Sequence, residues 1–207
     1  MKAILQIILM IAVVFLGYWI YTMFETPIKF EQARDAREKA VIERLVDIRT
    51  IQRSYRQKYG KFAGSFEDLA NYYHNDSLEV EFAVGSADDS AAMGNLIRET
   101  SFLRIYDTLF LNKEAGFKIE DLKYIPYSDV ATGARVEFQL DTAVLVTESK
   151  VSVPVFQAYA PFVTFLKDLD EQELINYRDE RVNTLGRDDG IKVGAIFEAN
   201  NEAGNWE

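Results

Sequence analysis

Ala3-Ile4-Leu5-Gln6-Ile7-Ile8-Leu9-Met10-Ile11-Ala12-Val13-Val14-Phe15-Leu16-Gly17-Tyr18-Trp19-Ile20-Tyr21-Thr22-Met23-Phe24 is an unbroken run of 22 residues without a charged side chain. At about 1.5 Å rise per residue it makes a helix roughly 33 Å long, matching the ~30 Å hydrocarbon thickness of a bilayer. A cleaved secretory signal would carry an apolar core of about 7–15 residues and a small-x-small cleavage site. The bulky end Tyr18-Trp19-Ile20-Tyr21-Thr22-Met23-Phe24 offers no such site, so the run reads as a retained single-pass anchor. Tyr18, Trp19 and Tyr21 suit the interfacial aromatic belt, and Gln6 is placed to meet headgroups or a neighbouring helix. Membrane segments that carry protons or ions usually hold a buried Asp, Glu, Lys, Arg or His. None occurs between Ala3 and Phe24, which restricts this helix to anchoring and packing.

Working outward, Pro27 sits where a helix can restart, because a first turn tolerates its missing N–H. Val41, Leu45, Ile48, Ile51, Tyr55 and Tyr59 then recur at steps of three and four, one stripe of a 3.6-residue period. Before Ala40 the stripe fades into Ala33, Ala36 and charges, so the first turns after Pro27 are expected to form an exposed stalk, with the remainder packed on a domain. Gly60 is the expected stop. Ser65-Phe66-Glu67-Asp68 has the form of a helix cap, opening a short helix through about Tyr73. Leu78, Val80, Phe82 and Val84 alternate with acidic residues as a half-buried strand. Gly85 to Ser90 reads as a polar loop. Further strands are expected over 100–105, 123–127, 135–140, 143–147 and 151–159, the last demoted to an edge or a bulge by Pro154. Asp170-Glu171-Gln172-Glu173 opens a final helix through about Val182, followed by a turn at 187–190 and a short apolar segment at 191–193.

A long helix followed by short strands, without regular βαβ alternation, predicts an α+β fold: a transmembrane helix continuing into a long amphipathic helix, then a mainly antiparallel sheet with short helices. The expected division is an anchor over 1–26, a helical stalk over 27–60 and one α+β domain over 61–207.

Charge is unevenly distributed. Residues 29–61 hold ten Lys/Arg against five Asp/Glu, a balance of +5, whereas 62–207 hold twelve against 27, a balance of −15. The acidic head argues against nucleic acid as a ligand. The basic stalk could meet anionic lipid, or the acidic head of a neighbouring copy in a homo-oligomer; a solvated helix face is the plainer reading. Arg34 and Arg37 are candidate partner contacts. So is Trp206, which either docks on its own domain or meets a second protein. Lys2 lies on one side of the apolar run and Lys29, Arg34, Arg37 and Lys39 on the other, a count that read mechanically puts the large domain in the cytoplasm; Glu25, Glu31, Asp35 and Glu38 interleave with those cations, so the positive-inside rule does not decide the orientation.

Little in the chain points to catalysis. Its one histidine, His74, lies at an expected helix C-terminus, where it stabilises the dipole. With no cysteine, disulfides are excluded and a zinc site is improbable. Asp88-Asp89 and Asp188-Asp189 lack the spacing of an EF-hand loop and read as solvated turns. No catalytic residue, cofactor or metal is expected, and the chain reads as a non-enzyme.

Asp47-Ile48-Arg49-Thr50-Ile51-Gln52, Tyr55, Tyr59-Gly60-Lys61-Phe62 and Gly64-Ser65-Phe66-Glu67-Asp68-Leu69, behind an N-terminal apolar helix, resemble the helix-to-loop transition of type IV pilins and type II secretion pseudopilins. The opening Met1-Lys2-Ala3-Ile4-Leu5-Gln6 shows no Gly–Phe prepilin cleavage point and no Glu in the pilin position, which argues against processing and filament assembly. The chain as a whole, including Glu198-Ala199-Asn200-Asn201-Glu202-Ala203-Gly204-Asn205-Trp206-Glu207, is similar to a group of uncharacterised single-pass envelope proteins of Bacteroidota. That resemblance implies a bacterial inner-membrane anchor, a periplasmic head and no assigned enzyme activity. The expected role is a non-catalytic subunit of an inner-membrane complex, accessory to a proton-channel motor or to a pilus or secretion assembly, with integral membrane proteins as partners. The alternative is an anchored binding module for a small ligand, peptide or glycan.

Overall fold

The structure is a computed structural model that describes residues 2–84, 97–110, 113, 117–147 and 150–207. Its spine is α1 (Lys2–Tyr59), a single helix of 58 residues that passes through Pro27 without restarting. Proline has no N–H to give to the carbonyl four residues back, so the Met23 carbonyl loses its helical donor. Gly60, at φ +69°, closes the helix and donates its N–H to the Arg56 carbonyl at 2.8 Å.

The head begins to pack on α1 much earlier than the fading stripe suggests. Phe30 is buried with its ring centroid 6.4 Å from that of Tyr177, and Val41, Leu45, Ile48 and Ile51 are wholly inaccessible. Each such aliphatic side chain contributes about 1.5–3 kcal/mol by leaving water. The exposed stalk expected ahead of Ala40 is therefore corrected: from Phe30 onward the helix is the central strut of the head. Between Phe30 and Val41 the contacts are made by one aromatic ring and by arginine stems, which bury their methylenes while the charged ends find partners. An apolar periodicity does not register such positions.

Around this strut lie α2 (Phe66–Asn75), the ribbon β1 (Ser77–Val84) and β2 (Ile97–Arg104), a 3₁₀ turn (Ile119–Lys123), α3 (Ser128–Thr132), β3 (Gln139–Val146), β4 (Ser152–Pro161), α4 (Phe162–Leu166), α5 (Glu171–Asp179), a π-helical turn (Glu180–Thr184) and β5 (Gly190–Gly194). The order β3-β4-β5 is antiparallel throughout, with Thr142 opposite Phe156 and Tyr159 opposite Lys192. Phe156, Ala158 and Ala160 of β4 are buried with Ile191 and Val193 of β5, and both strands meet α1. The chain is an α+β protein. Ser65 caps α2 by accepting from the Asp68 N–H at 3.1 Å, and Asp170 caps α5 by accepting from the Glu173 N–H at 3.0 Å.

Pro154 lies opposite Val144, in the part of β4 that β5 does not reach, so its missing donor falls where the strand has one neighbour. The strand expected at 123–127 does not form. Tyr124 makes one bridge to Glu137, after which Tyr127 turns left-handed at φ 62° and starts α3. The segments expected at 135–140 and 143–147 run together, from that bridge into β3. The polar loop expected at 85–90 lies outside the described residues.

Candidate functional site

Three features carry functional weight: the bare half of α1, its attachment to the head, and a groove beside it. Along the anchor every large apolar side chain from Ile7 to Phe24 is between 50% and 71% exposed, Tyr18, Trp19 and Tyr21 included. Gln6 is exposed on the same segment. Thr22 turns its hydroxyl onto the Trp19 carbonyl at 2.8 Å, so the polar group is satisfied within the helix. A helix apolar on all sides and uncovered by its own protein matches a lipid environment. It is the one helix among the described residues long and apolar enough to cross a membrane, and it fits a single-pass anchor.

The attachment combines apolar contacts of α1 with ion pairs and hydrogen bonds from its arginines. Arg37 forms a two-pronged pair with Asp168, 2.8 Å for the Nη2–Oδ2 arm, donates to the Phe165 carbonyl at 2.7 Å, and stacks 5.2 Å from the Tyr127 ring. Arg34 pairs with Asp35 at 2.7 Å and lies 4.7 Å above the Tyr177 ring. Tyr177 donates to Glu38 at 2.6 Å; burial, reinforced by that carboxylate, pushes its phenol far up. Towards the far end, buried Glu202 takes Arg53 at 2.9 Å and Arg56 at 2.5 Å, while Arg49 reaches Glu207 at 2.5 Å. Lys58 meets Asp76 at 3.0 Å. The basic helix and the acidic head thus neutralise one another within one chain. Arg53 and Arg56 keep part of their surface in solvent while making these pairs.

Arg34 and Arg37 are accordingly engaged by the head. Trp206 is half-buried against the core with its ring over Gly204, and a bridge between Val193 and Gly204 holds the C-terminal segment beside β5. Glu202 escaped the sequence reading because a carboxylate in a polar tail has no signature of burial; the Arg49/Arg53/Arg56 spacing, one basic face opposite an acidic domain, was the available clue.

The groove, of about 810 Å³, runs between α1 and the start of α3 and is bounded by Arg44, Asp47, Lys113, Tyr127 and Asp129. Burial holds the Arg44 guanidinium below its ordinary pKa and pushes the Asp47 carboxyl up, although Lys113 Nζ lies 2.9 Å from it. Arg44 donates to the Asp121 carbonyl. Arg44 and Asp47 thus form a perturbed acid–base grouping beside an open cavity. His74 pairs with Glu120 at 2.8 Å at the surface, as an end-of-helix residue. Asp188 and Asp189 are engaged by Lys192 and Arg178, while Asp88-Asp89 lies outside the described residues. Among the described residues no three His, Cys, Asp or Glu side chains group as metal ligands. No family model, curated protein or solved structure matches the chain.

Proposed function

We propose that this protein is a non-catalytic, single-pass subunit of an inner-membrane envelope complex, with its head in the periplasm and its anchor packed against other membrane helices. The observation that carries the reading is the uncovered apolar half of α1, continuous with a strut fixed into the head by ion pairs. Such a part fits a packing or positioning duty. Without an Asp, Glu, Lys, Arg or His in the span it cannot itself conduct protons. Accessory service to a proton-channel motor and service to a pilus or secretion assembly both accord with this.

Reciprocal purification of a tagged copy from native membranes separates them. Recovery of a proton-channel protein overturns the secretion reading, recovery of a secretion ATPase or platform protein overturns the motor reading, and recovery of neither removes both. A reporter fused after Glu207 that works only in the cytoplasm would reverse the orientation.

The groove at Arg44 and Asp47 favours a second reading, an anchored binding module. It requires that the head without its anchor stay monomeric and bind a small charged ligand, and that Arg44→Met abolish the binding.

A further inference from the structure

We infer that the turn formed by residues 180–187 is the membrane-facing end of the head and rests on the bilayer surface, with Val182 and Leu185 as its lipid-facing side chains. The inference depends on the anchor reading of Ala3–Phe24. The path of the chain supplies the geometry. Glu202, just past β5, is held by Arg53 and Arg56, and the Gly194 N–H bonds to the Ala203 carbonyl, so this end of the sheet lies far along α1 from the anchor. β4 runs from there to Pro161, and Phe165 and Asp168 meet Arg37. α5 continues towards the anchor, bringing Tyr177 against Phe30 and Arg34. The chain then turns through 180–187 and climbs back as β5 from Gly190, so this turn lies at the lower limit of the head.

Phe30 follows Phe24 by six residues, about 9 Å of helix. The interfacial layer on each side of the hydrocarbon is about 5–8 Å thick. Tyr177 meets Phe30, so the turn that follows it comes close to headgroup depth. Its composition suits that depth. Val182 and Leu185 are 39% and 50% exposed, Asn183, Thr184 and Arg187 beside them are exposed polar residues, and the exposed carboxylate Glu180 stands at the start of the turn where α5 ends. Arg181 points the other way, stacked 5.3 Å from Phe162 and 5.7 Å from Tyr177, and fixes the π-helical turn to the head. The occupant is the bilayer that α1 enters, since anchor and turn belong to one continuous body.

The chain has no native cysteine, so single labels can be read directly. An environment-sensitive fluorophore is placed at Val182→Cys or Leu185→Cys in the full chain, reconstituted in phosphatidylcholine vesicles that contain either a shallow or a mid-chain spin-labelled phosphatidylcholine. Controls are Val14→Cys in the anchor, Tyr18→Cys at its interface and Phe197→Cys, 89% exposed at the far end of the head. The expected result is quenching of positions 182 and 185 by the shallow label and of position 14 by the mid-chain label, with position 197 unquenched by either. If 14 is quenched while 182 and 185 behave like 197, the docking inference fails and the anchor stands. If 14 is unquenched, the anchor reading fails and takes the inference with it.

Discussion

Glu202 sits at φ 56°, in the left-handed region that a side chain ordinarily avoids, and it is buried. Two guanidinium groups stabilise it there, and a third arginine, Arg49, donates to its carbonyl at 3.3 Å. Glu202→Gln is expected to lower head stability by about 1.5 kcal/mol in urea unfolding, the low end of the roughly 1.5–3 kcal/mol of hydrogen bonds to charged groups, because both arginines are partly in water. Glu207→Gln removes a pair whose carboxylate is half in water and is expected to cost less than about 0.5 kcal/mol. A different test lies at Asp168, whose carboxyl is held below the usual range by its hydrogen bonds from Arg37. A depressed folded pKa makes the pair's stabilisation complete above the unfolded value of about 3.9, and it is lost as the pH falls through the folded value. Unfolding measured between neutral and strongly acidic pH should therefore show a shallower acid-side decline in Asp168→Asn than in the native chain. Tyr59 is perturbed in the opposite direction, its phenol pushed up to about 12 by donating to Asp76 at 2.6 Å.

At the level of elements, the signals that survived are those in which one residue has one job. Ser65 and Asp170 cap their helices, Gly60 ends α1, and the alternation from Leu78 gives β1. Ser65→Ala should cost the head about 1 kcal/mol of stability, read by thermal unfolding. The signals that failed depended on context. Lys123–Tyr127 has a β-like composition, yet Pro126 cannot donate to a ladder and Tyr127 turns left-handed, so only Tyr124 pairs. Gly194, at φ +73°, faces the Phe156 carbonyl at a separation that leaves no room for a Cβ. Gly194→Ala is expected to destabilise the β4–β5 pairing by about 2 kcal/mol or more, combining the left-handed penalty with a displaced strand. That requirement was invisible in sequence, because it arises from a strand distant along the chain. The Arg44–Asp47 groove was equally hidden: neither residue stands out until α3 closes beside them.

For the molecule as a whole, a helix that fits an anchor and the α+β class were legible from the uncharged run and the order of elements. The extent of the head was not. A chain beginning at Glu25 keeps Phe30, Arg34 and Arg37 and is expected to fold as a soluble domain. One beginning at Ala40 loses all three and should melt at a markedly lower temperature; loss of the Phe30 ring alone is of the order of 3–5 kcal/mol when a buried phenylalanine is truncated. Comparing the two thermal transitions checks this directly. On the proposed anchor reading, the consequence of one helix forming both the apolar span and the strut of the head is mechanical. From Phe24 to Tyr59 it extends about 52 Å, so a 10° change of tilt imposed inside the bilayer swings its far end through roughly 9 Å. On that reading, a movement of the apolar span would be delivered as movement of the whole head, with α1 as the lever.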